Sequence, residues 1–341
     1  MASTPYVEEY NVNLKNCLKE TKNGRDYVNS WKALYEAYNK GQCGIAIDSL
    51  CHNCFSRRRR HNFPWSLRIV LWDIGKQAEY FVGSAVYIGK KFALTAGRVV
   101  RAHYDRTNVE FYALGGSNVL ERLSRVRVTQ IKFHPSYVKN ALKDYRGSRK
   151  LGEKSCQMDL DNCIDLAVLK LSHEIPDVLP ICLPDSNIRL GSFQPMRVFG
   201  WGVTDRIFWS DWHGKQGNDT KKLKYADLER RMDCVRYLFG NYICAQGGGA
   251  FEYALACYGD AGTGLTCQDS VCRTTVPRGE FNKWRLVGIA SRGLLPRRAS
   301  TSTIMSAICL RHATAFVDIR QQLQFVCDKA KPACDAQSVS P

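Results

Sequence analysis

From Phe63 onward, the hydrophobic residues fall into short runs with the composition of β-strands, and turn residues separate these runs. The clearest runs are residues 67–72, 80–88, 126–131, 166–171, 196–199 and 286–290. Many short strands between glycine and proline turns are typical of antiparallel barrels and sandwiches. Residues 315–326 have the pattern of a strand that runs into a closing helix. The main part of the chain is therefore predicted to be all-β.

The first 60 residues follow a different pattern. Between residues 25 and 38, apolar side chains recur at helical spacing and form one stripe: Tyr27, Trp31, Leu34, Tyr35 and Tyr38. A stripe of this kind is expected to dock on the main body rather than to bind a ligand. Cys51 and Cys54 have the spacing of a metal-ligand pair, but no second pair completes a zinc site. We therefore expect no metal, and we expect no cofactor.

Four arginines, Arg57 to Arg60, mark the end of this first segment. The run is either a processing site, with cleavage after Arg60, or a solvated linker, because charge runs are usually only solvated. The predicted organisation is a cysteine-rich, partly helical extension over residues 1–60, a main domain over residues 61–328 and a tail over residues 329–341. The chain beyond Cys334 is expected to be loose.

The cysteine count points to an oxidising compartment. The chain has 341 residues, of which 15 are cysteines, so disulfides and a secreted, extracellular protein are predicted. The odd number leaves at least one thiol without a partner in the same chain. Residues 1–10 are polar and do not form a secretory signal, which leaves the route of export open. No apolar run reaches about 18 residues, so no membrane span is expected.

The net charge is +17, from 49 Lys and Arg residues against 32 Asp and Glu residues. Such a charge favours contact with polyanions, but it is equally compatible with a soluble, self-repelling surface. Arg125 and Arg127 alternate on one predicted strand and therefore point to the same face. An acidic protein partner or an anionic glycan is expected from these features, and nucleic acid is not.

A glycine-rich turn occupies the stretch Cys257-Tyr258-Gly259-Asp260-Ala261-Gly262-Thr263-Gly264-Leu265-Thr266-Cys267. Its glycines permit backbone angles that side chains forbid, and such a turn can direct successive N–H groups into one concavity. The stretch resembles the Gly-Asp-Ser-Gly-Gly-Pro turn of the trypsin-like serine proteases, whose serine attacks the peptide carbonyl. Ala261 occupies the serine position here, and a methyl group cannot act as a nucleophile.

The resemblance to this family covers about residues 62–327, and its segments occur in the family's order. Five segments carry it. Residues 62–65 resemble the entry to the first strand, residues 93–99 the Leu-Thr-Ala-Ala-His-Cys segment, and residues 162–171 the Asp-Ile-Ala-Leu-Leu segment. Residues 180–184 resemble Pro-Ile-Cys-Leu-Pro, and residues 199–202 resemble Phe-Gly-Trp-Gly. The resemblance implies two antiparallel six-stranded β-barrels with a C-terminal helix.

The same resemblance places the catalytic triad on Arg98, Asp165 and Ala261. The aspartate is kept, but an arginine stays protonated and cannot take a proton from a hydroxyl group. The former oxyanion turn is Gly259, Asp260 and Ala261. We predict that Arg98 bonds Asp165 directly, in place of the family's histidine–aspartate pair.

The resemblance places the primary specificity pocket on Leu255, Ser291, Arg292 and Gly293. A leucine at the floor of that pocket does not support a preference for Lys or Arg. Thr263 and Gly264 replace the family's Gly-Pro, which puts the shape of the oxyanion turn in question.

The family's activation device is also missing. No Ile-Val-Gly-Gly sequence precedes Phe63, so cleavage after Arg60 would not supply the amino terminus that pairs with Asp260 in the family. Asp260 should then pair with another cation, or the turn should stay zymogen-like, since an unpaired buried carboxylate is costly. Asn218 begins a glycosylation sequon on a polar loop.

Several disulfides are implied by the resemblance. It pairs Cys257 with Cys309 and Cys234 with Cys244, and it makes Cys182 the tether of the amino-terminal segment, with Cys51 or Cys54 as its partner. Cys156 with Cys163, and Cys327 with Cys334, are candidates for local bridges. Spacing alone does not settle connectivity.

Two family disulfides are altered. Val82 and Val99 replace one bridge beside the histidine position, which predicts a repacked apolar contact. Met196 takes the place of the cysteine that would pair with Cys267, and Cys272 is the nearest alternative partner.

These expectations combine into an inactive serine protease homologue that acts by binding, as a regulator, cofactor or decoy in an extracellular proteolytic cascade. Two alternatives are a cationic protein that binds glycosaminoglycans or microbial surfaces, and an endopeptidase with unorthodox catalytic residues.

Overall fold

The computed structural model describes ten segments of the chain: residues 42–45, 63–117, 120–137, 163–176, 178–202, 223–231, 240–247, 259–273, 282–293 and 313–338. Within them, the protein forms two closed antiparallel barrels of six strands each. The predicted all-β class and the predicted pair of six-stranded barrels are confirmed.

The first barrel has the strand order β1-β2-β3-β6-β5-β4. Its strands are β1 Ser66–Asp73, β2 Ala78–Gly89, β3 Phe92–Thr95, β4 Val109–Gly115, β5 Ser124–Phe133 and β6 Ala167–Leu171. A short helix, α1 (Gly97–Tyr104), follows β3, and a 3₁₀ turn covers Leu120–Arg122.

The second barrel has the strand order β10-β11-β12-β9-β8-β7. Its strands are β7 Pro195–Gly200, β8 Lys224–Arg230, β9 Tyr242–Gly247, β10 Gly264–Gln268, β11 Trp284–Gly293 and β12 Thr314–Asp318. Three helices accompany it: α2 Asp269–Cys272, α3 Leu323–Lys329 and α4 Lys331–Ala336.

Alternation of apolar and polar residues accounts for strands with one solvent face. In β5, Val126 and Val128 are buried in the barrel, whereas Arg125 and Arg127 are exposed on its outside. A period of two residues places alternate side chains on opposite faces, so this pattern commits the segment to a half-buried strand. The predicted placement of Arg125 and Arg127 on one face of the strand is confirmed, and this face is the exposed one.

Aromatic side chains fill the space between the barrels. The ring centroids of Phe63 and Phe199 lie 3.5 Å apart, and Trp284 meets Phe63 edge-on at 6.1 Å. Phe63, Phe199 and Trp284 are buried and belong to one core cluster with the first barrel. The two barrels therefore share a core, and the candidate site lies where they meet.

The segment at residues 42–45 is bound to the back of this core. The N–H of Gly44 donates to the carbonyl of Pro180 at 2.8 Å, and the N–H of Trp284 donates to the carbonyl of Gly44 at 2.8 Å. Gly44 has a φ of +70°, and a Cβ there would lie 2.3 Å from the carbonyl oxygen of Trp284. Only glycine fits this close approach.

The C-terminal helices close the fold. Helix α3 follows β12 as predicted for residues 315–326. The chain was predicted to be loose after Cys334, and for residues 335–337 this prediction is wrong. Helix α4 continues to Ala336, and the side chain of Gln337 forms hydrogen bonds with the backbone of Leu183 and Ile88. Hydrogen bonds to buried backbone groups hold a terminus that sequence position alone would leave free.

Candidate functional site

Asp165 lies at the centre of the candidate site, and its side chain is only 3% exposed. Its Oδ1 accepts a hydrogen bond of 2.9 Å from the backbone N–H of Arg98, in the first turn of α1. Its Oδ2 accepts a hydrogen bond of 2.8 Å from the hydroxyl of Ser291, on β11. One residue from each barrel therefore holds this carboxylate in place.

The guanidinium of Arg98 completes the environment of Asp165. Its Nε lies 3.6 Å from Oδ2, and the Arg98 side chain is 45% exposed. The predicted contact between Arg98 and Asp165 is thus present as an ion pair, and the hydrogen bond comes from the backbone of Arg98 instead. Because the acid is buried and the cation half-exposed, the pair neutralises the carboxylate while it leaves the cation at the surface of the cleft.

Tyrosines and a second arginine surround the same carboxylate. Burial, followed by the negative charge of Asp165, raises the pKa of Tyr242 to about 12. Burial also raises the pKa of Tyr137, with the same carboxylate as the second cause. The pKa of Arg292 is lowered by burial, while Tyr242 and Asp165 oppose that shift. Asp165 therefore lies in the field of two guanidinium groups.

The glycine-rich turn is fixed by β2. The N–H of Ser84 donates to the carbonyl of Ala261, and the hydroxyl of Ser84 donates to the carbonyl of Gly259, both at 2.9 Å. Gly262 has a φ of +88°, and a Cβ there would lie 2.1 Å from the carbonyl oxygen of Ser84. The glycine is thus required both by its backbone angle and by the closeness of β2.

The remainder of the turn bonds to β11. The N–H of Gly262 donates to the carbonyl of Ala290, and the N–H of Ala290 donates to the carbonyl of Thr263, both at 2.8 Å. Ala290 directly precedes Ser291, which bonds Asp165. The turn, β11 and the buried carboxylate therefore form one continuous set of contacts.

The side chain of Asp260 bonds the backbone that follows β7. Its Oδ1 accepts a hydrogen bond of 2.8 Å from the backbone N–H of Gly202, and Gly200 leaves room for it, since a Cβ there would lie 1.9 Å from Oδ1. Lys224 donates from Nζ to the carbonyl of Gly202 at 2.8 Å. The ammonium group of Lys224 and the carboxylate of Asp260 thus both bond the backbone of Gly202. A direct cation partner for Asp260 stays a prediction.

The sequence pattern of the trypsin family matches residues 53–313 of this chain. The chain belongs to the trypsin family. Among curated trypsin-family relatives, the mouse complement C1r subcomponent-like protein is 25% identical over 277 residues, which cover 74% of this chain and 48% of the relative. Mouse complement C1r-A subcomponent is 25% identical over 254 residues, which cover 69% of this chain and 30% of the relative. The chain thus spans less than half the length of these relatives.

A solved trypsin-family structure has the same fold. Neuropsin, a serine protease expressed in the limbic system of mouse brain, aligns with a TM-score of 0.50 and 19% identity, over 79% of this chain and 95% of neuropsin. At this identity the likeness is one of fold. In the described segments, no helix has the length and apolar character needed to cross a membrane.

One disulfide of the described segments differs from the pairing that the resemblance implied. The predicted partner of Cys182 is wrong, because Cys182 bonds Cys43 rather than Cys51 or Cys54. The backbone hydrogen bonds of Gly44 bring Cys43 to within a Cα–Cα distance of 4.7 Å of Cys182, and a disulfide forms only over such a short distance.

Two predicted local bridges are confirmed, Cys267 with Cys272 and Cys327 with Cys334. Cys163 and Cys244 are also disulfide-bonded. Their predicted partners, Cys156 and Cys234, lie outside the described residues, as do Cys51, Cys54, Cys257, Cys309, Leu255, Asn218 and Arg60.

The valines that replace a family disulfide lie in the core. Val99 is 5% exposed, and Val82 packs against the same hydrophobic cluster. A Cβ on Gly83, the residue after Val82, would lie 2.9 Å from both methyl groups of Val99. The predicted apolar packing in this region is therefore present, and it is tight.

Sequence reasoning did not single out two residues that shape the site. Ser84 clamps the turn, and Tyr242 donates from its hydroxyl to the carbonyl of Cys163 at 2.5 Å, next to Asp165. Each lies far from its partner in the sequence, so no local pattern marks it. Arg292 and Gly293, the other predicted residues of this wall, end β11 beside Ser291.

Proposed function

We propose that this protein is a non-catalytic member of the trypsin family that acts by binding a protein partner in an extracellular proteolytic cascade, as a regulator, cofactor or decoy. The observation that carries the proposal is the environment of Asp165. The side chain beside it is a guanidinium, and the turn that Ser84 and Ala290 hold in place carries the methyl group of Ala261.

Neither group can perform the chemistry of peptide hydrolysis. A guanidinium remains protonated over the useful pH range and cannot accept a proton from a hydroxyl. A methyl group has neither a lone pair nor an acidic proton, so it forms no acyl intermediate. Hydrolysis through the family's mechanism would need both functions at these two positions.

The frame around these groups supports a binding role. Asp165 keeps two hydrogen bonds and the turn keeps its clamp to Ser84, so the cleft is held in a defined shape. A rigid surface between two barrels loses little entropy when it binds a partner. The site thus has the fixed shape that recognition of a partner requires, but it lacks the base and the nucleophile that peptide hydrolysis requires.

The choice of a cascade partner draws on the relatives, which bear the names of complement subcomponents and of a complement subcomponent-like protein. Disulfides join described segments of the chain, as is usual for secreted proteins. The net charge of +17 favours an acidic surface on the partner and fast association with it.

The proposal is tested by incubating the full chain with an active-site-directed fluorophosphonate and with a broad peptide library, beside an active trypsin-family protease as the positive control. We expect neither an adduct nor cleavage. A covalent adduct mapped to the cleft would refute the proposal, and cleavage that is lost on Asp165→Asn would favour an endopeptidase with unorthodox residues.

The second candidate, a polyanion-binding protein, draws on the overall charge. The predicted arginine ladder on β5 gives it limited support, because Arg125 pairs with Glu79 and Arg127 pairs with Glu110, each at 2.7 Å. Retention on heparin that is sensitive to salt, and that falls after neutralisation of basic surface clusters, would favour this candidate over the protein partner.

A further inference from the structure

A cavity on the first barrel lies where β4 and β5 part, and its lining shares no residue with the cleft. The pairing of the two strands stops at Tyr112 and Arg127. Beyond this pair, a notch with a cavity of about 250 Å³ opens between residues 109–111 of β4 and residues 127–131 of β5. We propose that this notch binds an extended segment of the protein partner, with an apolar side chain in the cavity and a carboxylate beside Arg106. The inference rests on the proposed function and deepens it, since it names the surface that the partner covers.

Both walls of the notch are strand edges that have no strand partner within the described segments. Over residues 109–111, β4 pairs on its other side with β1, and over residues 128–131, β5 pairs on its other side with β6. The backbone groups of alternate residues in an antiparallel strand point to opposite sides, so N–H and C=O groups of both strands face the notch. An extended peptide adds to such an edge through its own backbone, and its alternate side chains enter pockets. A small apolar molecule would fill the cavity but make few of these hydrogen bonds.

The interior of the notch is apolar. Four aliphatic or aromatic side chains line the cavity, two of them buried and two half-buried: Phe111, Val128, Val109 and Ile131. Tyr104 also lines it and is 46% exposed, and its ring meets that of Phe133 edge-on at 5.1 Å. An exposed aromatic side chain that is held in place beside an apolar cavity is typical of the anchor positions of protein interfaces.

The charges of the lining favour an acidic segment. Glu110 lines the cavity, but its carboxylate is already engaged, because Arg127 lies 2.7 Å from Oε1 and the hydroxyl of Tyr112 donates to Oε2 at 2.6 Å. Arg106 also lines the cavity, is exposed and makes no ion pair with the described residues. One positive charge of the lining is therefore uncompensated, and a carboxylate on the bound segment would complement it.

Helix α1 separates the notch from the cleft. Arg98, in its first turn, bonds Asp165, whereas Tyr104, at its last residue, lines the cavity. A helix of this length spans about 12 Å. A strand bound in the notch would therefore leave the glycine-rich turn and Asp165 uncovered, so binding in the notch and chemistry in the cleft can be measured apart.

The experiment uses the full chain, immobilised, and pools of random nonapeptides with an N-terminal acetyl group, a C-terminal amide and Leu or Phe at the centre. Two pools differ only in having Glu or Lys two positions before and after the centre, because alternate residues of a strand share a face. A third pool repeats the Glu pool with every backbone nitrogen methylated, which removes strand pairing. Mass spectrometry measures the retained and the cleaved peptides.

We expect the Glu pool to be retained about fivefold more than the Lys pool, since one exposed charge contact is at stake. The methylated pool should not be retained, because it cannot donate to the strand edges. The retained peptides should be intact.

Two variants test the assigned lining. Arg106→Glu should reverse the preference between the Glu and Lys pools, whereas Arg122→Glu, the same charge change at an exposed residue outside the lining, should leave it unchanged. Gln130→Trp, at an exposed residue of the lining, should weaken the binding of both pools by filling the cavity. Thermal unfolding verifies that each variant is folded, and Arg106→Glu decides the outcome where Gln130→Trp fails to fold.

A direct readout is hydrogen exchange of the backbone amides. On addition of a retained peptide from the Glu pool, exchange should slow within residues 109–111 and 128–131 and stay unchanged within residues 259–263. Equal retention of all three pools, or slowed exchange at residues 259–263 alone, would overturn this inference and leave the non-catalytic function standing. Cleaved peptides from any pool would instead overturn the proposed function.

Discussion

The carboxylate of Asp165 takes its hydrogen bond from the backbone N–H of Arg98, at 2.9 Å, while the guanidinium of the same arginine lies 3.6 Å from its other oxygen. One residue thus contacts the buried acid in two ways, of which only one depends on its side chain. The backbone contact fixes the first turn of α1 to the residues that precede β6, within the first barrel. A substitution at Arg98 therefore removes the ion pair and keeps the backbone hydrogen bond.

Asp165→Asn is expected to lower the free energy of unfolding by about 2 kcal/mol. The amide can still accept from Arg98 and donate to Ser291, but two guanidinium groups lose their buried counter-charge. The exposure of Arg98 keeps the loss moderate. Urea denaturation measures the effect. The matched control is Asp227→Asn, which removes an exposed carboxylate paired with Arg197 and should cost less than about 1 kcal/mol. Equal losses in the two variants would contradict this account.

The double variant Arg98→His and Ala261→Ser is expected to react with a fluorophosphonate, because the turn is clamped and Asp165 is already hydrogen-bonded in the cleft. Neither single variant should react appreciably, since one lacks the nucleophile and the other lacks the base. Intact-mass measurement detects the adduct. Addition of Asp165→Asn should slow its formation, and a folded double variant without an adduct would show that the cleft lacks the reactive geometry.

Gln337→Ala is expected to destabilise the protein by about 2–3 kcal/mol, because the side chain makes three hydrogen bonds to backbone groups. It accepts from Leu183 at 2.7 Å and donates to Ile88 at 2.9 Å and to Ile181 at 3.1 Å. Chemical denaturation measures the change. Gln324→Ala, which removes one exposed hydrogen bond to Asp328, is the control and should be nearly neutral.

His134 is expected to make stability depend on pH. Burial lowers its pKa from 6.5, against the hydrogen bond with Gln322, and Nδ1 accepts the N–H of Ser136. The ring also packs on Phe325 of α3, at 4.8 Å between centroids. Because the folded state binds the proton less well, the contribution is complete above pH 6.5 and is lost as the pH falls through the lowered pKa.

His134→Gln should therefore flatten the dependence of the unfolding free energy on pH between about 7.5 and 5. Urea titrations at several pH values measure it. A parallel decline of the wild type and His134→Gln with falling pH would refute the assignment.

Gly44→Ala is expected to lower the melting temperature, because a Cβ would lie 2.3 Å from the carbonyl oxygen of Trp284 and 2.7 Å from Sγ of Cys182. The loss should be about 2 kcal/mol, as for other glycines with a left-handed backbone and no free space. Calorimetry measures it. Gly191→Ala, where a Cβ would approach only Gln194 at 3.9 Å, should be close to neutral. A neutral Gly44→Ala would mean that the amino-terminal segment does not dock as described.

The order of residues was sufficient to predict much of this protein. Period-two alternation, as in Val126 and Val128 of β5, commits a segment to a strand wherever it lies, and short strands with glycine turns define the class. The chemical identity of Arg98 and Ala261 is equally a property of the sequence, since a guanidinium and a methyl group keep their limits in any environment. Motif order then located Asp165 and the turn.

Only the tertiary structure decided which groups meet. Spacing did not identify Cys43 as the partner of Cys182, because the hydrogen bonds of Gly44 to Pro180 and Trp284 place it there. The clamp of Ser84 on the turn and the anchor of Gln337 arise in the same way. Hydrogen bonds between residues distant in sequence depend on how the barrels pack, and no local pattern records that packing.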